Sequence, residues 1–399
     1  LEELDLFRKT TVLSMEQATT LPFLTYRLAA DGMNVIRIEH PRRPDPNRFV
    51  GEDVLGEEAI NSYFLPLNLG KKAITLDLAD DEGKAVLKDL VGKLGVDIFA
   101  TNMLQESCKR AGVDYETLGA VKEDLIWIGI TGFGPRVSEA AYDPVLQARA
   151  GFMDLNGEPD GDPMVFGLPV VDLIAGEHAY AETLKALFRR EGTGKGSQVD
   201  ISMFQSAVSW LVSVLTLTMN FDCRITRQGN THRFFAPVSV YETRDGYVYI
   251  AVGNDRQWSS MTQLPGFESL ARKEYEKNSG RIEDAVNLNR EIARITRTRS
   301  TEELVDLFGS IRVPISRVKT VREVVDDPYV AENIIRSRDP RTGMELTLPP
   351  LPVISSYLRS IDLRMGFPPR LGEHNEEIYG GLLGYGSARM DDLRERGVI

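Results

Sequence analysis

The chain has 399 residues, 42% hydrophobic and 27% charged, enough for two domains or one large discontinuous one with a sizeable core. Its 59 acidic and 47 basic residues leave a net charge of -12, and with no clustered basic footprint it is not built to follow a nucleic-acid backbone. Two cysteines, Cys108 and Cys223, lack a CxxC spacing, four scattered histidines lack the pairing of a zinc site, and no apolar run is long enough to span a bilayer. Nothing at the start reads as a secretory signal, so a cytoplasmic protein with no metal, nucleic-acid or membrane partner is expected.

Over the first 130 residues short β-branched runs alternate with helical ones, the pattern of crossover units feeding a mostly parallel sheet. Thr10 to Leu13 and Val35 to Glu39 (VIRIE) read as strands, with a helix over about Pro22 to Asp31 between them. AITLDL from Ala73, VDIFAT from Val96 and LIWIGIT from Leu125 read as further strands, and Asp81 to Leu94 as a helix. The fold class is therefore α/β with a Rossmann-like, mostly parallel sheet. No dinucleotide is expected, because SMEQATT stands where such a site needs Gly-x-Gly-x-x-Gly. The group EHPRRPDPNR mixes bases with acids, which predicts a solvated surface or a small anionic ligand.

GLPVVDLIAGEHAY, Gly167 to Tyr180, passes from an apolar strand-like run into a helix over Leu173 to Arg190 that stops at EGTGKGSQ. VDISMFQSAVSWLVSVLTLTM then reads as a strand and a strongly apolar helix, expected to be buried at a subunit or domain contact. APVSVYETRDGYVYIAVG is two alternating runs about an Arg-Asp-Gly turn, hence an antiparallel hairpin, and a later helix opens at Ser300 with Glu303 in capping-box spacing. The expected organisation is a large domain over 1–223, a smaller α+β domain over 224–335, and a return to the large domain over 336–399 through the linker-like LPPLPVISS.

Asp172 is the carboxylate at the strand-to-helix turn. Aspartate is a favoured N-cap, and for the isolated residue that reading outweighs chemistry. The roles are compatible: the dipole and free amides of a helix start hold a carboxylate ionised, and such a group can attack an activated acyl carbon.

With its flanks YDPVLQARAGFMDLNGEPDGDP and ALFRREGTGKGSQVDISMFQSAVSWL, the Asp172 segment resembles the class III coenzyme A transferases, the CaiB/BaiF type that includes formyl-CoA and carnitine CoA-transferases. LAADGMNVIRIEHP, LPLNLGKKAITLDLADDEGKAVLKDLV, DIFATNMLQESCKRAGVDYETL, IGITGFGP, DGYVYIAVGNDRQW, VVDDPYVAEN and PPRLGEHNEEI extend the resemblance over nearly the whole chain. It implies that Asp172 attacks a donor thioester to give an aspartyl anhydride. Returning CoA thiolate then forms an aspartyl-CoA thioester, and an acceptor carboxylate completes the exchange. A CoA thioester is thus a substrate, with no permanently bound cofactor.

By the same resemblance Gln17 and Ala18 form the first CoA-contacting turn, with Gln17 also near the reacting acyl group. His40 follows the VIRIE strand where a basic residue meets the nucleotide. Asn68 and Lys71 line the CoA site, Lys71 as a point charge for phosphate, against the alternative of a solvated turn lysine. Asn102, Met103 and Arg110 match a nucleotide-contacting block in which Met103 replaces an aromatic, and Tyr142 and Asp143 face CoA. The implied partners are an acyl-CoA, a carboxylic acid, and a second subunit in an interlocked homodimer or a heteromer with a related chain. Succinyl-CoA with a dicarboxylate or aryl-succinate acceptor is the family habit.

Two alternatives stay open. The α-methylacyl-CoA racemases of the same superfamily carry a His where this chain has Tyr142, a poor general base near neutral pH; a non-catalytic subunit of a heteromer is the other. Gln228 to Pro237 could form a lid with His232 as a loop residue, Glu177 and His178 are expected on a helix surface or dimer contact, and Trp127, Trp210 and Trp258 in packing.

Overall fold

The computed structural model describes residues 3–139 and 141–399. Six strands form one parallel sheet: β1 Thr11–Met15, β2 Asn34–Glu39, β3 Lys72–Thr75, β4 Ile98–Thr101, β5 Ile126–Thr131 and β6 Ser197–Ser202. Their order is β3-β2-β1-β4-β5-β6. In register, Val12 of β1 lies between Val35 and Ile98. A parallel sheet covered on both faces needs near-continuous apolar strands, and Val12, Leu13, Ile36, Ile98, Phe99, Ile126 and Ile128 are all fully buried.

The connection direction reverses between β1 and β4. Loops leaving the carboxyl ends of these two strands diverge, and in open α/β sheets the crevice between them is where ligands bind.

The chain divides into two compact units. The first comprises Leu1–Ala150, Phe166–Phe221 and Tyr329–Ile399, and the second Gly151–Val165 and Asp222–Pro328. Ile378, Tyr379, Met390 and Leu393 share one core with Leu13, Ile36, Val86 and Leu90. There β3 stops at Thr75 although AITLDL runs on: the backbone N–H of Asp77 donates to Val398 at 2.7 Å, and Tyr379 Oη donates to the Thr75 carbonyl at 2.8 Å. The chain end thus takes over the hydrogen bonds that a longer strand would have made. A short antiparallel pair, β10 Ile335–Arg338 and β11 Glu345–Leu348, also belongs to the first unit.

In the second unit β7 Val238–Glu242 and β8 Tyr247–Ala251 form the hairpin, joined by a three-residue strand β9, Ile315–Arg317, too short to show a period in sequence. Ser300 and Glu303 make a reciprocal capping box on the helix Thr301–Ser310.

The apolar stretch after β6, expected as a single helix, is broken. It forms two helices, Met203–Ser209 and Val212–Phe221, bent by 75°. The second buries no residue, and Trp210, expected in packing, is 58% exposed. Trp127 and Trp258 are buried as expected. Among the described residues no single helix is long and apolar enough to cross a membrane, and this bent pair reaches that apolarity only when its helices are taken together.

Candidate active site

Asp172 lies in the first turn of the 24-residue helix Val170–Thr193, whose N-cap is Pro169. It is the third helical residue, inside the cap, which corrects the expectation that it occupies the cap itself. Capping is supplied from outside the helix: Asp143 Oδ2 accepts the amides of Val171 at 2.7 Å and Asp172 at 3.2 Å. The Val170 and Leu173 amides donate to the Leu168 and Pro169 carbonyls. All four donors at the helix start are therefore engaged, and the free amides expected beside Asp172 are absent among the described residues. The other Asp143 oxygen accepts from Gln147 Nε2 at 2.6 Å, while Gln147 Oε1 accepts the Phe166 amide at 2.9 Å, tying the 166–168 segment to the cap.

The Asp172 side chain points instead at Thr20, whose hydroxyl donates to Oδ1 at 2.6 Å. Burial pushes the Asp172 carboxyl up to about 6, the Thr20 hydrogen bond opposes this, and the charge of Asp143 adds to it. The expectation that the helix start simply favours ionisation is reversed by desolvation. Near neutral pH the group is still mostly carboxylate and more basic than an ordinary aspartate.

Gly176 brings the two residues together. A Cβ there would lie 2.7 Å from Phe23 Cδ1 and 3.1 Å from the Thr20 carbonyl, so only glycine lets the long helix approach the helix Thr20–Ala30 this closely. Farther along, Glu177 pairs with Arg27, the Arg27 guanidinium lies 4.5 Å from the Tyr180 ring centre, and Tyr180 Oη donates to Asp31 at 2.5 Å.

Residues 16–20 leave β1 at the point where the sheet order reverses, and the residue leaving β4 holds them. Asn102 Oδ1 accepts the Gln17 amide at 3.3 Å and its Nδ2 donates to the Gln17 carbonyl at 2.8 Å. Ala18 has φ +63°, a left-handed conformation costly for a residue with a Cβ. Its amide donates to Asp45 Oδ1 at 3.2 Å and its carbonyl accepts from Asn47 Nδ2 at 2.7 Å. The Gln17 side chain is left exposed.

Beneath this loop lies a buried charge cluster. Glu16, Glu39 and Asp45 face Arg37, Arg48 and Lys71, each side chain at most 1% exposed. Burial raises Glu16, but the charges of Lys71 and Arg37 outweigh it and hold the carboxyl below its usual range. Glu39, likewise buried, is brought down to about 2 by Arg37 and Arg48. Lys71 is neither a solvated turn lysine nor open to a phosphate: its ammonium donates to Glu16 at 2.7 Å, the Pro22 carbonyl at 3.0 Å and Asn68 at 3.1 Å. Asn68, 2% exposed, also accepts from Arg37 and donates to the Phe64 carbonyl. EHPRRPDPNR is correspondingly only half a surface, with Asp45 and Arg48 inside and Arg42 and Arg43 outside.

The remaining sequence candidates sit around these groups. His40 accepts the Arg42 amide at 3.0 Å and lies 3.5 Å from Asp77, and burial lowers its pKa below the usual imidazole value. Met103 packs against the core, Arg110 is exposed with one bond to Ser107, and Tyr142 is 73% exposed. His178 accepts from the Trp210 indole at 3.2 Å. A concavity of about 490 Å³ between the long helix and β6 is lined by His178 and Asp200, among others, and does not include Asp172.

Thr20, Glu16, Arg37, Asp45 and Gln147 were not singled out from sequence. An arginine in the middle of the apolar VIRIE run, in a sheet expected to be buried on both faces, was the signal for a buried partner.

The site is thus a largely buried carboxylate at a helix start, beside the crevice of a parallel α/β sheet that has no glycine-rich phosphate loop after β1. Residues 8–375 match the profile of CoA-transferase family III, and the chain belongs to that family. It is 27% identical over 398 residues to succinyl-CoA:glutarate CoA-transferase of Homo sapiens, covering 97% of this chain and 88% of the relative. To succinyl-CoA:mesaconate CoA-transferase of Haloarcula hispanica it is 31% identical over 397 residues, covering 95% and 97%. The crystal structure of a CaiB/BaiF family protein from Brucella suis superposes with a TM-score of 0.81 at 29% identity, covering 94% of this chain and 98% of that one.

Proposed function

We propose that this CoA-transferase moves CoA from succinyl-CoA to a dicarboxylic acid, with Asp172 as the covalent nucleophile. The observation that carries the reading is the state of Asp172: a largely buried carboxylate pushed up to about 6, with Oδ1 fixed by a hydroxyl and Oδ2 left for attack. Greater basicity makes a carboxylate a better nucleophile once ionised, and a rigid helix start fixes its line of approach. Succinyl-CoA as donor is supported by the names of the human and Haloarcula relatives, both of which pair it with a dicarboxylate.

In this reading Gln17, Ala18 and Asn102 bind CoA at the crevice, and His40, Met103, Arg110 and Tyr142 border it. Asn68, Lys71 and Asp143 act one layer back, holding the loop and the helix start. The apolar exposed helix Val212–Phe221 is where a second subunit would sit, in a homodimer or with a related chain. Transfer is favoured over racemisation because the polar side chains at Asp172 are Thr20 and Asp143, with no imidazole among them.

The test is a panel of free acids offered with succinyl-CoA and with acetyl-CoA, together with hydroxylamine trapping. Glutarate or mesaconate should accept CoA from succinyl-CoA, and Asp172 should be recovered as its hydroxamate. Rapid α-deuterium exchange of a 2-methylacyl-CoA without transfer would overturn the proposal.

A further inference from the structure

The four amide donors at the start of the long helix are consumed by Asp143 and by carbonyls, so the helix itself offers Asp172 no donor during reaction. Thr20 alone among the described residues donates to its side chain, at 2.6 Å on Oδ1. The threonine is 5% exposed, opens the helix Thr20–Ala30, and is branched at Cβ, so its hydroxyl is placed with little rotameric freedom. Its other neighbour, Met203 Sδ at 3.8 Å, is a weak acceptor that does not compete with a carboxylate.

We propose that Thr20 is the oxyanion donor for the aspartyl carbonyl, stabilising the charge that collects on Oδ1 whenever a nucleophile adds to Cγ of Asp172. The proposal rests on the reading of Asp172 as nucleophile. Oδ2 attacks the acyl carbon of the donor, the C–S bond breaks, and CoA leaves as thiolate, giving the anhydride R–CO–Oδ2–Cγ=Oδ1. Thiolate then adds to Cγ, and the π electron pair moves onto Oδ1, where the Thr20 hydroxyl meets it. That pair returns as the Cγ–Oδ2 bond breaks, releasing R–COO⁻ with Oδ2 and leaving a Cγ–S thioester.

The acceptor carboxylate adds to Cγ in the same sense and charges Oδ1 a second time before thiolate departs. Thiolate finally attacks the acceptor's acyl carbon and frees the Asp172 carboxylate. The Thr20 proton is never transferred. A donor aimed at the oxygen that gains charge, in a nearly dry site, acts more strongly on the tetrahedral species than on the ground state.

Thr20→Val keeps the shape and removes the hydroxyl, and Thr20→Ser keeps the hydroxyl. With succinyl-CoA as donor, Thr20→Val should lose about 100-fold in kcat, the scale of a single oxyanion-hole donor, and Thr20→Ser should recover most of it. Intact mass after quenching should show wild type carrying CoA on Asp172, and Thr20→Val carrying the succinyl group, because addition to Cγ is the slowed step. Wild-type turnover by Thr20→Val, equal impairment of both variants, or an unchanged adduct pattern would overturn the role of Thr20 while the label on Asp172 kept the nucleophile reading intact. Absence of any adduct on Asp172 in wild type would remove that reading and this one with it.

Discussion

Asp143 caps the helix that carries Asp172, its Oδ2 accepting the Asp172 amide at 3.2 Å and the Val171 amide at 2.7 Å. One carboxylate thereby does the work of a cap, and the other is left with its side chain turned toward Thr20. Asp143→Ala leaves two buried amides without their acceptor and should cost about 1–3 kcal/mol in urea unfolding. Burial is the main cause of the raised Asp172 carboxyl, and Asp143→Asn keeps an acceptor while removing the charge that adds to it, so the acidic limb of kcat/KM should move slightly to lower pH.

Asp172 itself should be a residue that lowers stability. Its carboxyl is raised from 3.8 to about 6 in the folded chain. The unfolded chain therefore ionises first, and stability is fully present below pH 3.8 and declines as pH rises through about 6. Asp172→Asn removes that penalty. The variant should be inactive and, at pH 8, more stable than wild type by on the order of 2 kcal/mol, with the difference vanishing near pH 4. Denaturant unfolding at the two pH values checks it.

The buried cluster should fail in the opposite direction. Glu39 is held at about 2 against 4.5 in an unfolded chain, so its contribution is present above pH 4.5 and lost as pH falls toward 2. Arg48→Met deprives Glu39 of its 2.6 Å partner and leaves a buried carboxylate with only Arg37 and the Asp45 amide. A loss of about 3–5 kcal/mol is expected in thermal or urea unfolding.

Gly176→Ala should separate activity from stability. The added methyl gains about 1 kcal/mol of helix propensity and meets Phe23 at 2.7 Å, an overlap that costs about 1–3 kcal/mol. The net change in Tm should be small, while the long helix moves away from Thr20 and the turnover number falls at least 10-fold. Steady-state kinetics beside calorimetry reads both.

The parallel sheet was legible because strands buried on both faces leave uninterrupted apolar runs, as VIRIE and LIWIGIT do. The place of Asp172 at the start of a long helix was legible through its neighbours in the chain. What Asp172 is bonded to was not, since Thr20 lies 152 residues away and Asp143 lies 29 away. The cap was misassigned for a physical reason: a local rule places the capping oxygen one residue outside the helix, and here Pro169 stands there with no side-chain oxygen to give. Sequence alone reads Lys71 as a point charge for phosphate, or else a solvated turn lysine, because its buried partners Glu16 and Pro22 lie 55 and 49 residues away.

In the proposed mechanism, the close approach at Gly176 makes the reactivity of Asp172 a property of the folded state. In a denatured chain its carboxyl returns to the ordinary range and is one of 59 acidic side chains with nothing to distinguish it. A thioester that labels this position alone therefore counts properly folded molecules, and the label yield becomes a direct assay of how much of a preparation, or of a nascent population, has closed its sheet.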